Sequence, residues 1–187
     1  MPSNVISAVV FVINTLAQLY LFVLLLRLWL PWLGADFRNP IAQAILKLTS
    51  PVVIPLRRIV PPIGRLDTAT LLVAFIIQYL TIVVLLMIMG QSAGIAAIAI
   101  TSVVNLVLLS LRLFVFAIIV RVILSWIAPS GGYNPALAII HTLTDRILRP
   151  FRRIIPPMGG LDLSPLFAII LLMAVIIIVA GLKPLAI

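Results

Sequence analysis

Long apolar runs, separated by short polar and proline-rich segments, dominate this chain of 187 residues. A helix that crosses a membrane needs about 20 mostly apolar residues, and each run comes close to or exceeds that length. The four runs are Val5–Leu30, Ala69–Met89, Gly94–Ile127 and Leu166–Leu182. This pattern predicts an all-α integral membrane protein with four transmembrane helices.

The chain also contains an internal repeat. Residues 49–67 and 144–162 are near copies at an offset of 95 residues. The offset is about half the chain, so we predict two tandem repeats, residues 1–92 and 93–187, with two spans each. An even number of spans returns the chain to the side from which it entered. The two repeats are therefore expected to be parallel rather than inverted.

The distribution of basic residues predicts the orientation. Nine of them lie in the two long loops, one loop within each repeat, whereas Lys183 is alone on the opposite side. The nine are Arg38, Lys47, Arg57, Arg58, Arg65, Arg146, Arg149, Arg152 and Arg153. Lys and Arg accumulate in cytoplasmic loops. Both loops are therefore expected to be cytoplasmic and both termini periplasmic.

Each loop is expected to begin with a short amphipathic helix that lies in the membrane interface. Asn39 and Asn134 each precede a proline, which is the signature of an N-cap followed by proline at the first helical position. We predict these helices over residues 41–49 and 136–148.

The prolines that follow, beginning at Pro51 and Pro150, are expected to prevent any further long helix, which leaves a stiff Pro/Arg-rich segment in each loop.

In the first amphipathic helix, helical spacing gives one apolar face, made of Ile41, Ala44, Ile45 and Leu48.

Composition narrows the function. Hydrophobic residues make up 64% of the chain and charged residues 9%, and the net charge of +9 lies next to apolar runs, which indicates a membrane partner rather than nucleic acid. There is no cysteine and no glutamate, and the one histidine, His141, most simply pairs with Asp145 four residues on. Acid–base and metal chemistry need convergent carboxylates and imidazoles. We therefore expect no enzyme activity, no metal and no cofactor.

Two arginine pairs, Arg57-Arg58 and Arg152-Arg153, lie among the prolines beside the membrane. The simpler interpretation is an orientation signal that also holds anionic headgroups. The more specific one is a docking surface for phospholipid or for another integral membrane protein, because two matched rigid segments present a defined shape.

Asp67 and Asp162 precede the second span of each repeat and are expected to cap those helices. The alternative is an ion pair with Arg27 and Arg121, which lie at matched positions near the cytoplasmic ends of their own spans. Snorkelling of the arginines to the interface would need no partner. A charge inside a bilayer is costly when it is alone, which favours pairing.

Gln18 and Arg112 occupy matched positions in the middle of the first and third spans. An ionisable group at such a depth is a candidate for function. A conducting path would need further polar positions on the same face, and the sequence suggests only Asn105 and Ser102 as companions.

The doubled pattern Pro-x-Arg-Arg-x-x-Pro-x-x-Gly-x-x-Asp resembles the YggT family, also called YlmG. It is formed by Pro55, Arg57, Arg58, Pro61, Gly64 and Asp67, and again by Pro150, Arg152, Arg153, Pro156, Gly159 and Asp162. The two-copy form over the whole chain is similar to the proteobacterial type. The resemblance implies a small protein of the bacterial inner membrane, linked to osmotic or extracytoplasmic stress and without established catalysis. Plastid relatives assist assembly of haem onto a cytochrome b subunit.

Two hypotheses for the function follow. The first is a non-enzymatic scaffold or assembly factor whose basic cytoplasmic face binds anionic lipid and other membrane proteins. The second is a component of an ion channel or transporter that responds to osmotic change, with Gln18 and Arg112 beside its path and a second copy of the chain as a further candidate partner.

Overall fold

The computed structural model describes residues 3–64, 66–127, 134–154 and 162–185, which form six α-helices. Their bounds are Ser3–Leu33 (α1), Pro40–Arg57 (α2), Thr68–Ile88 (α3), Ile95–Ile127 (α4), Pro135–Ile154 (α5) and Ser164–Ala180 (α6). The only β-structure in these ranges is an isolated bridge between Ile63 and Leu66. The predicted all-α class is confirmed.

Three helices, α1, α3 and α4, are long and apolar enough to cross a membrane. The fourth apolar helix, α6, has 17 residues and is therefore about 25 Å long, slightly less than the roughly 30 Å hydrocarbon core. The bounds of all four follow the apolar runs of the sequence to within a few residues.

The helices pack in two similar groups of three. Within the first group, α1, α2 and α3 contact one another, and α4, α5 and α6 do the same in the second. The groups meet where α3 contacts α4, where α1 contacts both α4 and α5, and where α2 contacts α5. Apolar side chains from α1, α2, α4 and α5 fill a shared core that includes Leu25, Leu28, Ile45, Leu113 and Leu143.

A tight turn connects the two groups. The helix α3 ends at Ile88, and Gly90 has a φ of +66°, a left-handed conformation that glycine adopts without a steric penalty. Its amide donates a hydrogen bond to the Met87 carbonyl at 3.1 Å, and α4 begins five residues after this glycine. The short turn therefore makes α3 and α4 antiparallel neighbours.

The prediction that proline ends the amphipathic helices is wrong. The helix α2 continues through Pro51 and Pro55 to Arg57, and α5 continues through Pro150 to Ile154. A proline inside a helix removes one backbone hydrogen bond. Pro51 and Pro55 are four residues apart and both exposed, so the freed carbonyls lie on a surface where interfacial water can bind them.

The apolar face predicted for α2 is also partly wrong. The buried residues are Ala42, Ile45, Thr49 and Val53, so the buried stripe is rotated away from Ile41 and Leu48. Leu48 is 64% exposed. The reason is that an interfacial helix has two apolar neighbours, the protein and the lipid, and hydrophobic periodicity alone does not distinguish them.

Some residues singled out in the sequence lie outside the described part of the chain. They are Arg65, Pro156 and Gly159.

Candidate functional site

Arg27 is the centre of a buried polar cluster that joins the three helices of the first group. This arginine is 4% exposed. Its Nη1 donates hydrogen bonds to Thr49 Oγ1 at 2.9 Å and to Ser50 Oγ at 3.2 Å, both on α2. Its Nε lies 3.6 Å from Asp67 Oδ2, a charge contact that is longer than a hydrogen bond. The guanidinium thus links α1, α2 and the start of α3.

Asp67 combines both roles considered for it. Its Oδ1 accepts a hydrogen bond from the Thr70 backbone amide at 3.3 Å, so it is the N-cap of α3. Its other oxygen faces Arg27. One carboxylate therefore compensates the N-terminal dipole of α3 and the buried arginine together.

The second group holds its arginine differently. Arg121 Nη1 donates to Thr144 Oγ1 at 2.7 Å, which reproduces the contact between Arg27 and Thr49. It also contacts Asp145 Oδ1 at 2.6 Å. The expected pair of Arg121 with Asp162 is wrong. Position 50 is serine in the first copy and position 145 is aspartate in the second, so the second arginine finds a carboxylate closer along the chain.

Asp162 instead pairs with Arg152, whose Nε lies 2.9 Å from Asp162 Oδ2. Its other oxygen accepts a hydrogen bond from the Ser164 amide at 3.0 Å at the start of α6. Burial alone would raise the pKa of Asp162, but the hydrogen bonds from Ser164 and the contact with Arg152 outweigh it and lower the pKa. Asp162 therefore stays ionised and ties the end of α5 to the start of α6.

The two arginine pairs lie at the ends of α2 and α5 and are exposed. Arg152 is held by Asp162 and by Asp145, the latter at 3.7 Å. Arg57, Arg58 and Arg153 form no ion pair with any residue in the described ranges. These three guanidinium groups therefore remain available to bind a ligand.

A cavity of about 420 Å³ opens beside the first arginine pair. Arg27, Arg57 and Asp67 line it, together with residues of the loop before α3 that include Pro62 and Gly64. The buried Arg27 Nε has no hydrogen-bond partner. The cavity thus combines a buried guanidinium, an exposed one and one carboxylate, which is a net positive lining.

His141 lies on α5 at the edge of the second cluster, with Nδ1 4.0 Å from Asp145 Oδ1. Burial lowers the pKa of His141, the positive charges of Arg121 and Arg152 lower it further, and Asp145 acts in the opposite direction. The imidazole is consequently neutral near neutral pH and contributes a polar rather than a charged group to this face.

Gln18 and Arg112 line one cavity of about 200 Å³ among α1, α3, α4 and the segment after α6. The other polar side chains around it are Asn14, Gln78, Asn105 and Lys183. The sequence suggested Asn105 as a companion. Ser102, the other suggested companion, does not line the cavity and donates instead to the Ile98 carbonyl at 2.8 Å.

Several residues of these sites escaped the sequence reasoning. Thr49 and Thr144 bind the two arginines, and a matched threonine at the start of the repeated segment was the available signal. The sequence predicts Asn39 as a cap only, whereas its side chain both accepts from the Ile41 amide and donates to the Pro135 carbonyl, each at 2.8 Å. Gln78 has no equivalent pattern in the sequence, because its role depends on which face of α3 meets α1 and α4.

Comparison with known proteins places these features in a family context. The profile of the CCB3/YggT family matches residues 6–88 and, a second time, residues 100–183. An uncharacterized protein of Pseudomonas aeruginosa, PA0392, is 42% identical over 168 residues, which are 89% of this chain and 85% of the relative. The uncharacterized protein YggT of Escherichia coli K12 is 37% identical over 169 residues, 89% of this chain and 86% of the relative.

A shorter relative matches only part of the chain. The uncharacterized protein ycf19 of Guillardia theta is 32% identical over 71 residues, which are 38% of this chain and 78% of the relative. No solved structure matches this chain.

Proposed function

Because this chain belongs to the CCB3/YggT family, we propose that it is a non-enzymatic scaffold or assembly factor of the bacterial inner membrane, linked to osmotic or extracytoplasmic stress tolerance. Its basic cytoplasmic face would bind anionic phospholipid and other integral membrane proteins. The observation that carries this proposal is the exposure of Arg57, Arg58 and Arg153 without a carboxylate partner in the described ranges.

The proposal includes a topology of four spans in two tandem repeats. The helix α6 packs against α4 as α3 packs against α1, and the family profile matches the chain twice. The ycf19 relative covers about one such unit. With 17 residues, α6 crosses the bilayer if the bilayer thins slightly or if the interface reaches Lys183.

The polar clusters tie this face to the long helices. Arg27 and Arg121 fix α2 and α5 to the long helices through the same threonine contact. The arginine pairs at the C-terminal ends of α2 and α5 are therefore presented at defined positions rather than on mobile coils. Each exposed basic residue near an anionic membrane surface contributes about 1 kcal/mol of attraction, and a fixed arrangement adds selectivity for shape.

The test removes the four arginines and compares that variant with a control of the same total charge. In one variant Arg57, Arg58, Arg152 and Arg153 become Gln, and in the matched control Arg38, Lys47, Arg146 and Arg149 become Gln. Both lose four positive charges from the same two loops. Crosslinking in cells followed by purification should recover fewer membrane-protein partners for the first variant than for the control, with equal insertion of both. Identical partners for the two variants would contradict docking at the arginine pairs.

A second candidate function is a component of an ion channel or transporter. The observation that favours it is the shared cavity of Gln18 and Arg112, with amide side chains from α1, α3 and α4 around it. Purified protein in sealed liposomes should then support an ion flux that Arg112→Leu alters. An absence of flux above that of empty liposomes would contradict conduction by this chain.

A further inference from the structure

Arg112 lies deep in a helix that is long and apolar enough to cross a membrane. It is 17 residues after the start of α4 and 15 before its end, which is roughly 25 and 22 Å along the axis. An arginine side chain is much shorter than either distance, so it cannot reach either end of the helix by snorkelling. Its charge must be compensated locally.

None of the chain's acidic side chains provides that compensation. The sequence has four aspartates and no glutamate. All four aspartates lie in the two segments that connect α1 to α3 and α4 to α6. Arg112 forms no ion pair or hydrogen bond with another residue in the described ranges. An unpaired charge in the interior of a bilayer is costly and is typical of a functional position.

Gln78 provides a second, independent observation. It is 6% exposed, and it lines the cavity from α3, opposite Arg112 on α4. Its amide makes no hydrogen bond to any other residue that the structure describes. Gln78 faces the cavity, so a polar group there would hydrogen-bond to Gln78 and Arg112 together.

The lining of the cavity favours a bound group that carries a negative charge. Arg112 brings a positive charge to the cavity, no aspartate lines it, and Asn14, Gln18, Gln78 and Asn105 can each donate an N–H. A cation would be repelled by this lining. The planar fork of a guanidinium matches the oxygens of an oxyanion in two parallel hydrogen bonds. A volume of about 200 Å³ accommodates a group of phosphate size.

We propose that this cavity binds a phosphate-type oxyanion, with Arg112 as its principal cation and Gln78 as a buried donor. The anion is either free phosphate or the phosphate of an anionic phospholipid that enters from the end at which α3 and α6 terminate. This site is separate from the arginine pairs, and binding there requires neither docking of partners nor conduction of ions.

The experiment measures anion binding by the full chain with two probes. In the first arm, inorganic phosphate is titrated into protein in a neutral detergent, and the dissociation constant is measured by calorimetry. In the second arm, native mass spectrometry counts phosphatidylglycerol molecules that remain bound, with phosphatidylcholine as the neutral comparison. The arms distinguish a free anion from a lipid headgroup.

Arg112→Gln should weaken binding in the arm that shows it by about tenfold or more, because a charged hydrogen bond is lost. Gln78→Leu should weaken it by a smaller factor, and it keeps the charge, so it tests the site even if Arg112→Gln is poorly folded. Arg38→Gln, which removes one exposed charge outside both the cavity and the arginine pairs, is the control and should leave this binding unchanged. Equal binding by wild type, Arg112→Gln and Gln78→Leu in both arms, or no binding in either, would overturn the proposal.

Discussion

The Asn39 side chain donates a 2.8 Å hydrogen bond to the Pro135 carbonyl, 96 residues along the chain. The N-cap of α2 thereby holds the first turn of α5, and Asn39 is 2% exposed. Its repeat equivalent, Asn134, is exposed and bonds only to nearby amides of α5 in the described ranges. Two residues with the same place in the repeat therefore contribute differently to the fold.

Asn39→Ala should destabilise the protein more than Asn134→Ala does. The loss of a cap costs about 0.5–2 kcal/mol, and Asn39→Ala additionally removes the side-chain donor to the Pro135 carbonyl. The midpoint of thermal unfolding in detergent, followed by circular dichroism of the helices, provides the measurement. Equal shifts for the two variants would mean that the link between α2 and α5 contributes nothing to stability.

Thr49→Val should destabilise the first group of helices, because it removes a hydroxyl from a buried arginine while keeping the shape of the side chain. The expected cost is about 1–3 kcal/mol, as for other buried groups that lose a hydrogen bond. Thr144→Val should cost less, since Arg121 keeps Asp145. Thr49→Ser retains the hydroxyl and serves as the control. A Thr49→Val variant as stable as wild type would show that the hydroxyl is dispensable.

The sequence allowed much of this fold to be predicted. The apolar runs located α1, α3, α4 and α6 because burial in lipid needs only length and composition. Asn39-Pro40 and Asn134-Pro135 located the starts of α2 and α5, because a cap is a local feature. The ends of α2 and α5 could not be predicted, since the cost of Pro51 or Pro150 depends on whether the freed carbonyl faces water.

Partners of charged residues were predictable only in part. Matched depth placed Arg27 near Asp67, and the two are in contact. The same reasoning failed for Arg121 because the two repeats differ at one position. The residue equivalent to Ser50 is Asp145, which gives Arg121 a nearer carboxylate. The role of Gln78 depends on packing between helices, which hydrophobic periodicity does not specify for a helix that is apolar on every side.

Asp145→Asn should lower stability more than Asp162→Asn. Asp145 faces Arg121, whose side chain is 11% exposed, whereas the pair of Arg152 with Asp162 is exposed on both sides. We expect a cost of about 1–3 kcal/mol for the first variant and below about 1 kcal/mol for the second. Thermal unfolding in detergent tests the order. The reverse order would contradict a larger contribution from the pair of Arg121 with Asp145.

His141 should titrate below 6.5, the usual histidine value, because its pKa is lowered in the folded protein. The unfolded chain then binds the proton more readily. The contribution of neutral His141 to stability is therefore fully present above about pH 6.5 and is lost as the pH falls through the folded pKa. As the chain has one histidine, its NMR titration is unambiguous.

Two variants test the cause of that shift. Asp145→Asn removes the nearby negative charge and should lower the pKa of His141 further, whereas Arg152→Gln removes a positive charge and should raise it. A wild-type pKa above 6.5 would contradict the arrangement of charges around this imidazole.

The most direct test concerns the side of the membrane on which the two arginine pairs lie. The chain has no cysteine, so Arg58→Cys and Arg153→Cys each introduce a unique reactive group, and Lys183→Cys marks the opposite side. A membrane-impermeant maleimide should label residues 58 and 153 only from the cytoplasm and residue 183 only from the periplasm. Labelling of residues 58 and 153 from opposite sides would contradict two parallel repeats and a single basic face.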